Sequence, residues 1–200
     1  MKLYGLLGKQ LSYSFSADYF RKKFQQENIA DSIYKNFEIA SINEFPELLT
    51  KHSDLSGLNV TIPYKETILP CLDEVDAVAE EIGAVNTIQF KIDGSLKGFN
   101  TDVIGFRNSI KPFLDTNHTR ALIFGTGGAS KAISYVLKNL GIPFYIVSRS
   151  PSSEKEISYD DLDSSSIASF RFLINCTPLG TFPNVDEIIP IETSAIGSKH

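Results

Sequence analysis

Two periods of apolar residues alternate along this chain, and each change of period marks an element. Short apolar runs of strand length stand at Lys2 to Gly8, Tyr34 to Ala40, Leu58 to Ile62, Arg120 to Phe124, Ile142 to Arg149 and Phe172 to Cys176. Helical spacing of apolar residues lies between them. It runs from Ala17 to about Asn28, with Tyr19, Phe20, Phe24 and Ile29 on the apolar side, and again from Asn43 to Lys51. A helix is predicted to begin at Pro63, where proline suits the first turn. Others cover Glu74 to Ile82, ended by Gly83, and Asp102 to Phe113, while Ile133, Val136, Leu137 and Leu140 mark one that ends at Gly141. Ala84 to Ile92 and Ser95 to Phe99 read as a hairpin across Asp93-Gly94, a strong turn signal. The serine-rich stretch Ser150 to Ser169 reads as a loop with a weak helix, and the chain after Asn184 as loop. Strands alternating with helices predict an α/β protein.

The clearest chemistry lies between Arg120 and Arg149. A buried strand, the turn Gly125-Thr126-Gly127-Gly128-Ala129, a helix and a second strand follow one another. That order within about 30 residues is the dinucleotide-binding unit, in which glycines let the backbone approach a pyrophosphate. Free N–H groups at the start of the helix hold the anion. NAD binders carry an acidic residue at the end of the second strand for the ribose hydroxyls. Here that place reads Ser148-Arg149-Ser150, with no carboxylate. A guanidinium beside two hydroxyls suits a 2′-phosphate, so NADP is the expected cofactor.

Composition narrows the partners. A net charge of −5 and no basic run argue against nucleic acid or a membrane surface as a partner. No segment has the length and apolarity of a membrane span, and the N-terminal apolar run is too short for a signal peptide. The 2 cysteines, Cys71 and Cys176, form no spaced pair, which predicts a reducing, cytoplasmic setting. His52, His118 and His200 stand apart in sequence, so no metal site is expected.

Polar residues in the first half collect near element ends. Ser14 and Ser16 alternate just before the first helix. Ser16 is a natural N-cap, whereas Ser14 is not needed for one, so the pair is either a cap and a bystander or a polyol site. Lys65 falls in the first turn of the helix opened by Pro63, where the dipole disfavours a cation and lowers its pKa, which suits proton transfer. A lysine whose stem simply reaches water is the alternative. Asn86 and Thr87 lie on the first hairpin strand, and Asn100 and Thr101 just after the second. Asp102 then opens a helix with Thr101 as its expected cap. The dipole alone is a sufficient reason for a carboxylate there. The polar stretch after Phe113 places a domain junction between residues 1–113 and 114–200.

Five segments, in order, resemble shikimate dehydrogenase: N-V-T-I-P-Y-K (Asn59 to Lys65), G-A-V-N-T (Gly83 to Thr87), G-F-N-T-D-V-I-G (Gly98 to Gly105), G-T-G-G-A-S-K-A (Gly125 to Ala132) and I-N-C-T-P-L-G (Ile174 to Gly180). The resemblance implies an N-terminal substrate-binding α/β domain followed by a Rossmann-like NADP-binding domain. It also implies NADP-linked reduction of 3-dehydroshikimate to shikimate by a monomer or homodimer. The family's catalytic pair would fall on Lys65 and Asp102, and its substrate ligands on Ser14, Ser16, Thr61 and Asn86. The cofactor would meet Gly125 to Ala129 and Ser148 to Ser150.

Three departures accompany it. The family's first loop carries H-S-x-S-P where this chain has Y-S-F-S-A (Tyr13 to Ala17), so a different loop geometry is expected. Ser153 stands where a second cation is common, which predicts a weaker hold on NADP. The family's sequences also continue with further strands and a returning helix, so the resemblance implies a C-terminally incomplete Rossmann domain. Its strand at Phe172 to Cys176 would lack an outer neighbour, and little activity and a tendency to self-associate would follow. The rival readings are an NAD-linked quinate/shikimate dehydrogenase and a non-catalytic paralogue that binds shikimate-type ligands.

Overall fold

A computed structural model describes residues 1–115, 119–197 and 200. The readings made on His118, and on Ser198 and Lys199 in the tail, lie outside the described residues. The chain divides into two compact units, Met1–Thr101 and Asp102–His200. The helix opened by Asp102, which the sequence makes a connection next to the junction, groups with the second of these units.

The first unit is built on a six-stranded sheet. Its first strand, β1 (Lys2–Gly8), leads to α1 (Ser16–Gln26), β2 (Ser32–Glu38), α2 (Phe45–Lys51), β3 (Leu55–Val60) and the single turn α3 (Tyr64–Thr67). Then come β4 (Glu74–Val75), α4 (Ala77–Ile82), β5 (Thr87–Phe90) and β6 (Leu96–Phe99). The strand order is β2-β1-β3-β5-β6-β4. β1 pairs in parallel with β2 and β3, whereas β5 runs antiparallel to both β3 and β6. The carboxyl ends of β1, β3 and β6 and the start of β5 therefore meet at one rim of the sheet. Leu7, Phe45, Ile68 and Ile88 are fully buried in its core.

Two expectations fail here. Glu74–Val75 is not helical but a two-residue strand paired with β6, and Asp76 caps the shorter α4 through the N–H of Val78. A helical run of Ala77–Ile82 next to it makes the two look continuous by spacing alone. Ser16 is not an N-cap either: α1 begins at Ser16, after Phe15, with no side-chain cap.

The second unit opens with α5 (Asp102–Ile110), followed by β7 (Ala121–Phe124), α6 (Gly128–Asn139), β8 (Phe144–Ser148), β9 (Glu156–Ser158), α7 (Ser164–Ser169) and β10 (Phe172–Asn175). Among the described residues its four strands are parallel, in the order β10-β7-β8-β9. All four residues of β7 are buried, as an inner parallel strand requires. The serine-rich stretch is more ordered than its composition implies. β9 extends the sheet beside β8, and Asp163 caps α7 through the N–H of Ser166. β10 is an outer strand, with β7 as its partner among the described residues.

Candidate functional site

The rim of the first sheet carries a dense polar cluster. Asn86 is buried, and its backbone ties two strands together: its C=O accepts the Val60 N–H at 2.8 Å and its N–H donates to Phe99 at 3.0 Å. Its side-chain Oδ1 accepts three donors, the Thr101 N–H at 2.8 Å, the Thr101 hydroxyl at 3.1 Å and the Thr87 hydroxyl at 3.0 Å. With the oxygen so engaged, the NH₂ end is the one that serves as a donor. Thr87 Oγ1 also accepts from Asn59 Nδ2 at 3.3 Å, and Asn59 Oδ1 accepts from the Tyr34 hydroxyl at 2.9 Å. Burial pushes the Tyr34 pKa well above the ordinary tyrosine value, so the phenol stays a donor.

Thr61 leaves the end of β3 beside this cluster, its N–H donating to Leu7 of β1 at 2.9 Å. After a cis Ile62–Pro63 peptide the chain enters α3. Pro63 is the residue before the turn and not its first member. Tyr64 is buried, with its hydroxyl on the Ile39 carbonyl at 2.6 Å, and the Lys65 carbonyl accepts the Val85 N–H at 2.7 Å. Lys65 is half-buried on a turn that is thus held from both sides. A four-residue turn has a small dipole, so the effect invoked for Lys65 from sequence has little helix behind it.

The loop from β1 to α1 holds Ser14 and Ser16 at the same rim. The Ser14 N–H donates to the Leu11 carbonyl at 2.9 Å, and Ser14 Oγ accepts the Ser16 N–H at 3.2 Å. Ser14 is therefore the serine that binds backbone, the reverse of the assignment from sequence. The structure brings Ser14, Ser16, Thr61, Lys65 and Asn86 to one end of one sheet. Asp102 follows Thr101 as the first residue of α5 and belongs to the other unit. Tyr34 and Asn59 were missed, although Asn59 sits out of phase with the buried Leu58 and Val60, which is a visible signal.

In the second unit the glycine turn meets the requirements of a dinucleotide. Gly125 has φ of 106°, and a Cβ there would lie 3.2 Å from the Cys176 carbonyl oxygen. A Cβ at Gly127 would meet nothing within 4 Å, so the space before α6 is open. α6 has no side-chain cap, which leaves its first N–H groups for an anion. At the end of β8, Ser148 is buried and its Oγ accepts the Ser150 N–H at 3.1 Å. That turn leaves Arg149 exposed. Tyr159 has its pKa raised by burial, while the nearby Arg149 charge pulls it down. Ser148 thus shapes the turn, and Arg149 and Ser150 are exposed on it.

A polar substrate-type rim on one unit and an open dinucleotide turn on the other define a two-domain nicotinamide-dependent oxidoreductase. Residues 6–88 match the model of the shikimate dehydrogenase substrate binding domain. The shikimate dehydrogenase (NADP(+)) of Methanosphaera stadtmanae is 37% identical over 214 residues, covering 98% of this chain and 75% of the relative. The crystal structure of shikimate dehydrogenase 1 from Peptoclostridium difficile is similar at TM-score 0.83 and 37% identity, over 98% of this chain and 73% of that one. The Thermus thermophilus enzyme, in complex with NADP(H) and shikimate, aligns at TM-score 0.82 and 26% identity, over 98% of this chain and 75% of that one. The chain belongs to the shikimate dehydrogenase family.

Proposed function

We propose that this protein catalyses the NADP-dependent reduction of 3-dehydroshikimate to shikimate, with Lys65 and Asp102 as the proton-handling pair. The observation that carries the reading is the convergence of Ser14, Ser16, Thr61, Lys65 and Asn86 on one rim of the first sheet. Ser14, Ser16, Thr61 and the Asn86 NH₂ supply hydroxyl and amide groups suited to a small polyol acid. Lys65 holds a proton at the C3 carbonyl oxygen and releases it as that oxygen becomes a hydroxyl. Asp102 is the carboxylate we assign as the acceptor for the proton-handling lysine and for the substrate hydroxyl next to the reacting carbon. NADPH, when bound, supplies the hydride. Gly125 to Ala129 and the uncapped start of α6 take its pyrophosphate, and Arg149 with Ser150 takes its 2′-phosphate. Ser148 supports that turn from within. The free cysteines Cys71 and Cys176 fit a reducing, cytoplasmic setting.

The test is turnover of the protein as its gene encodes it. NADPH consumption that depends on 3-dehydroshikimate, and the reverse reaction with shikimate and NADP, are expected. Turnover with quinate and NADH but not with this pair would contradict the reading. Shikimate binding with no turnover on any of these pairs would show a binding paralogue instead.

A further inference from the structure

Three alternate residues of β2 hydrogen-bond to the two halves of the substrate rim, Asn36 and Glu38 to Leu11 and Tyr34 to Asn59. β2 is an outer strand, paired in parallel with β1. Tyr34, Asn36 and Glu38 share one of its faces because side chains alternate along a strand. Asn36 and Glu38 are exposed and look like the polar dressing that edge strands carry against aggregation. Their partners indicate another task.

Glu38 and Asn36 grip the same residue of the serine loop. The Glu38 carboxylate accepts the Leu11 N–H, and Asn36 Nδ2 donates to the Leu11 carbonyl at 3.3 Å. The Leu11 side chain is buried at 1% exposure, so both backbone groups and the side chain of this residue are held. The Leu11 carbonyl is also the acceptor for Ser14 N–H, and Ser14 Oγ takes the Ser16 N–H. A continuous set of hydrogen bonds therefore runs from β2 through Leu11 to both serines. The third residue, Tyr34, reaches the other half of the rim. Its ring stacks on Phe20 of α1 at 4.4 Å between centroids, and its hydroxyl starts the path Asn59, Thr87, Asn86.

We propose that Tyr34, Asn36 and Glu38 are positioning residues for substrate recognition: Asn36 and Glu38 set the Ser14/Ser16 loop, and Tyr34 sets the Asn59–Thr87–Asn86 amide chain. The clamp explains how this loop keeps two ordered serines with Tyr13 and Ala17 at its ends. The inference rests on the reading of Ser14, Ser16 and Asn86 as substrate ligands.

The test is steady-state kinetics of the protein as its gene encodes it, with shikimate and NADP varied separately. Glu38→Ala, Asn36→Ala and Tyr34→Phe should each raise KM for shikimate about 3- to 10-fold, the worth of one supporting hydrogen bond. The KM for NADP and kcat should stay within about twofold, since the supported groups touch neither cofactor nor reacting proton. Glu38→Gln should restore most of the loss, because an amide oxygen still accepts the Leu11 N–H. In a Ser14→Ala/Ser16→Ala background, Glu38→Ala should add little, because it acts through those serines. If the serine and Asn86 variants raise KM for shikimate while the β2 variants do not, the positioning role is overturned and the ligand reading stands. If the serine and Asn86 variants leave that KM unchanged, the ligand reading fails and the proposal with it. Equal losses for both substrates, or no recovery with Glu38→Gln, would reduce β2 to a purely structural part and overturn the proposal.

Discussion

Thr101 gives both its N–H and its hydroxyl to the same oxygen, Oδ1 of Asn86, at 2.8 and 3.1 Å. A buried amide held in this way cannot turn over, and so its NH₂ end faces the other direction in every molecule. The consequence separates stability from binding. Asn86→Asp keeps the acceptor for Thr101 and Thr87 and should cost less folding stability than Asn86→Ala, yet raise KM for shikimate about tenfold through loss of the donor. Asn86→Ala leaves the donors of Thr101 and Thr87 without their acceptor and should cost about 1–3 kcal/mol. Urea unfolding beside steady-state kinetics checks both. Equal destabilisation by the two variants would show that the oxygen is not the structural half of the amide.

Arg149 is exposed after the turn made by Ser148 and Ser150. Arg149→Ala should raise KM for NADPH and leave NADH nearly unchanged. Equal loss with both cofactors would assign Arg149 to the fold and not to the phosphate.

The two glycines of the cofactor turn should fail in different ways. Gly125→Ala forces a side chain into φ of 106° and against the Cys176 carbonyl, so it should destabilise the fold by about 1–3 kcal/mol. Gly127 has an extended backbone with open space ahead of it. Gly127→Ala should therefore fold with a nearly unchanged melting temperature but bind NADPH poorly, since its methyl group occupies room meant for the pyrophosphate. Thermal melts and a cofactor titration tell these apart.

Cys176 has its thiol pKa pushed up to about 12 by burial. A raised thiol pKa contributes stability that is fully present below the unfolded value of about 8.5 and declines as pH rises from there towards the folded value. At mildly alkaline pH the folded protein should thus resist alkylation at Cys176, and modification should become rapid in urea. Mass spectrometry of iodoacetamide-treated protein gives the answer. Rapid labelling of the folded protein would contradict the burial.

The dinucleotide unit was legible because its signals are local: β7, the glycines, α6 and β8 follow one another within a short stretch of sequence. The strand at Lys2–Gly8 and the hairpin across Asp93-Gly94 read well for the same reason. Glu74–Val75 did not, because a two-residue strand exists only through its pairing with β6, and no period of its own announces it. The backbone hydrogen bond expected of Ser16 falls instead to Ser14, since which serine binds backbone depends on where Leu11 is held. The supports of the rim were hardest to see. Tyr34 meets Asn59 and Glu38 meets Leu11 across separations of 25 and 27 residues, and an exposed Glu on an outer strand has an ordinary explanation by itself.

Lys65 is where the account is most exposed. As a half-buried lysine on a single turn, it could be removed at small cost if its part were structural. As the proton-transfer group, its loss should lower turnover by a factor of about 10² to 10⁴. The decisive measurement is kcat of Lys65→Ala, in the protein as its gene encodes it, beside the dissociation constant for shikimate. The account predicts that loss of turnover with binding kept within about tenfold, or 1.4 kcal/mol. A Lys65→Ala protein that retains most of its turnover would contradict it.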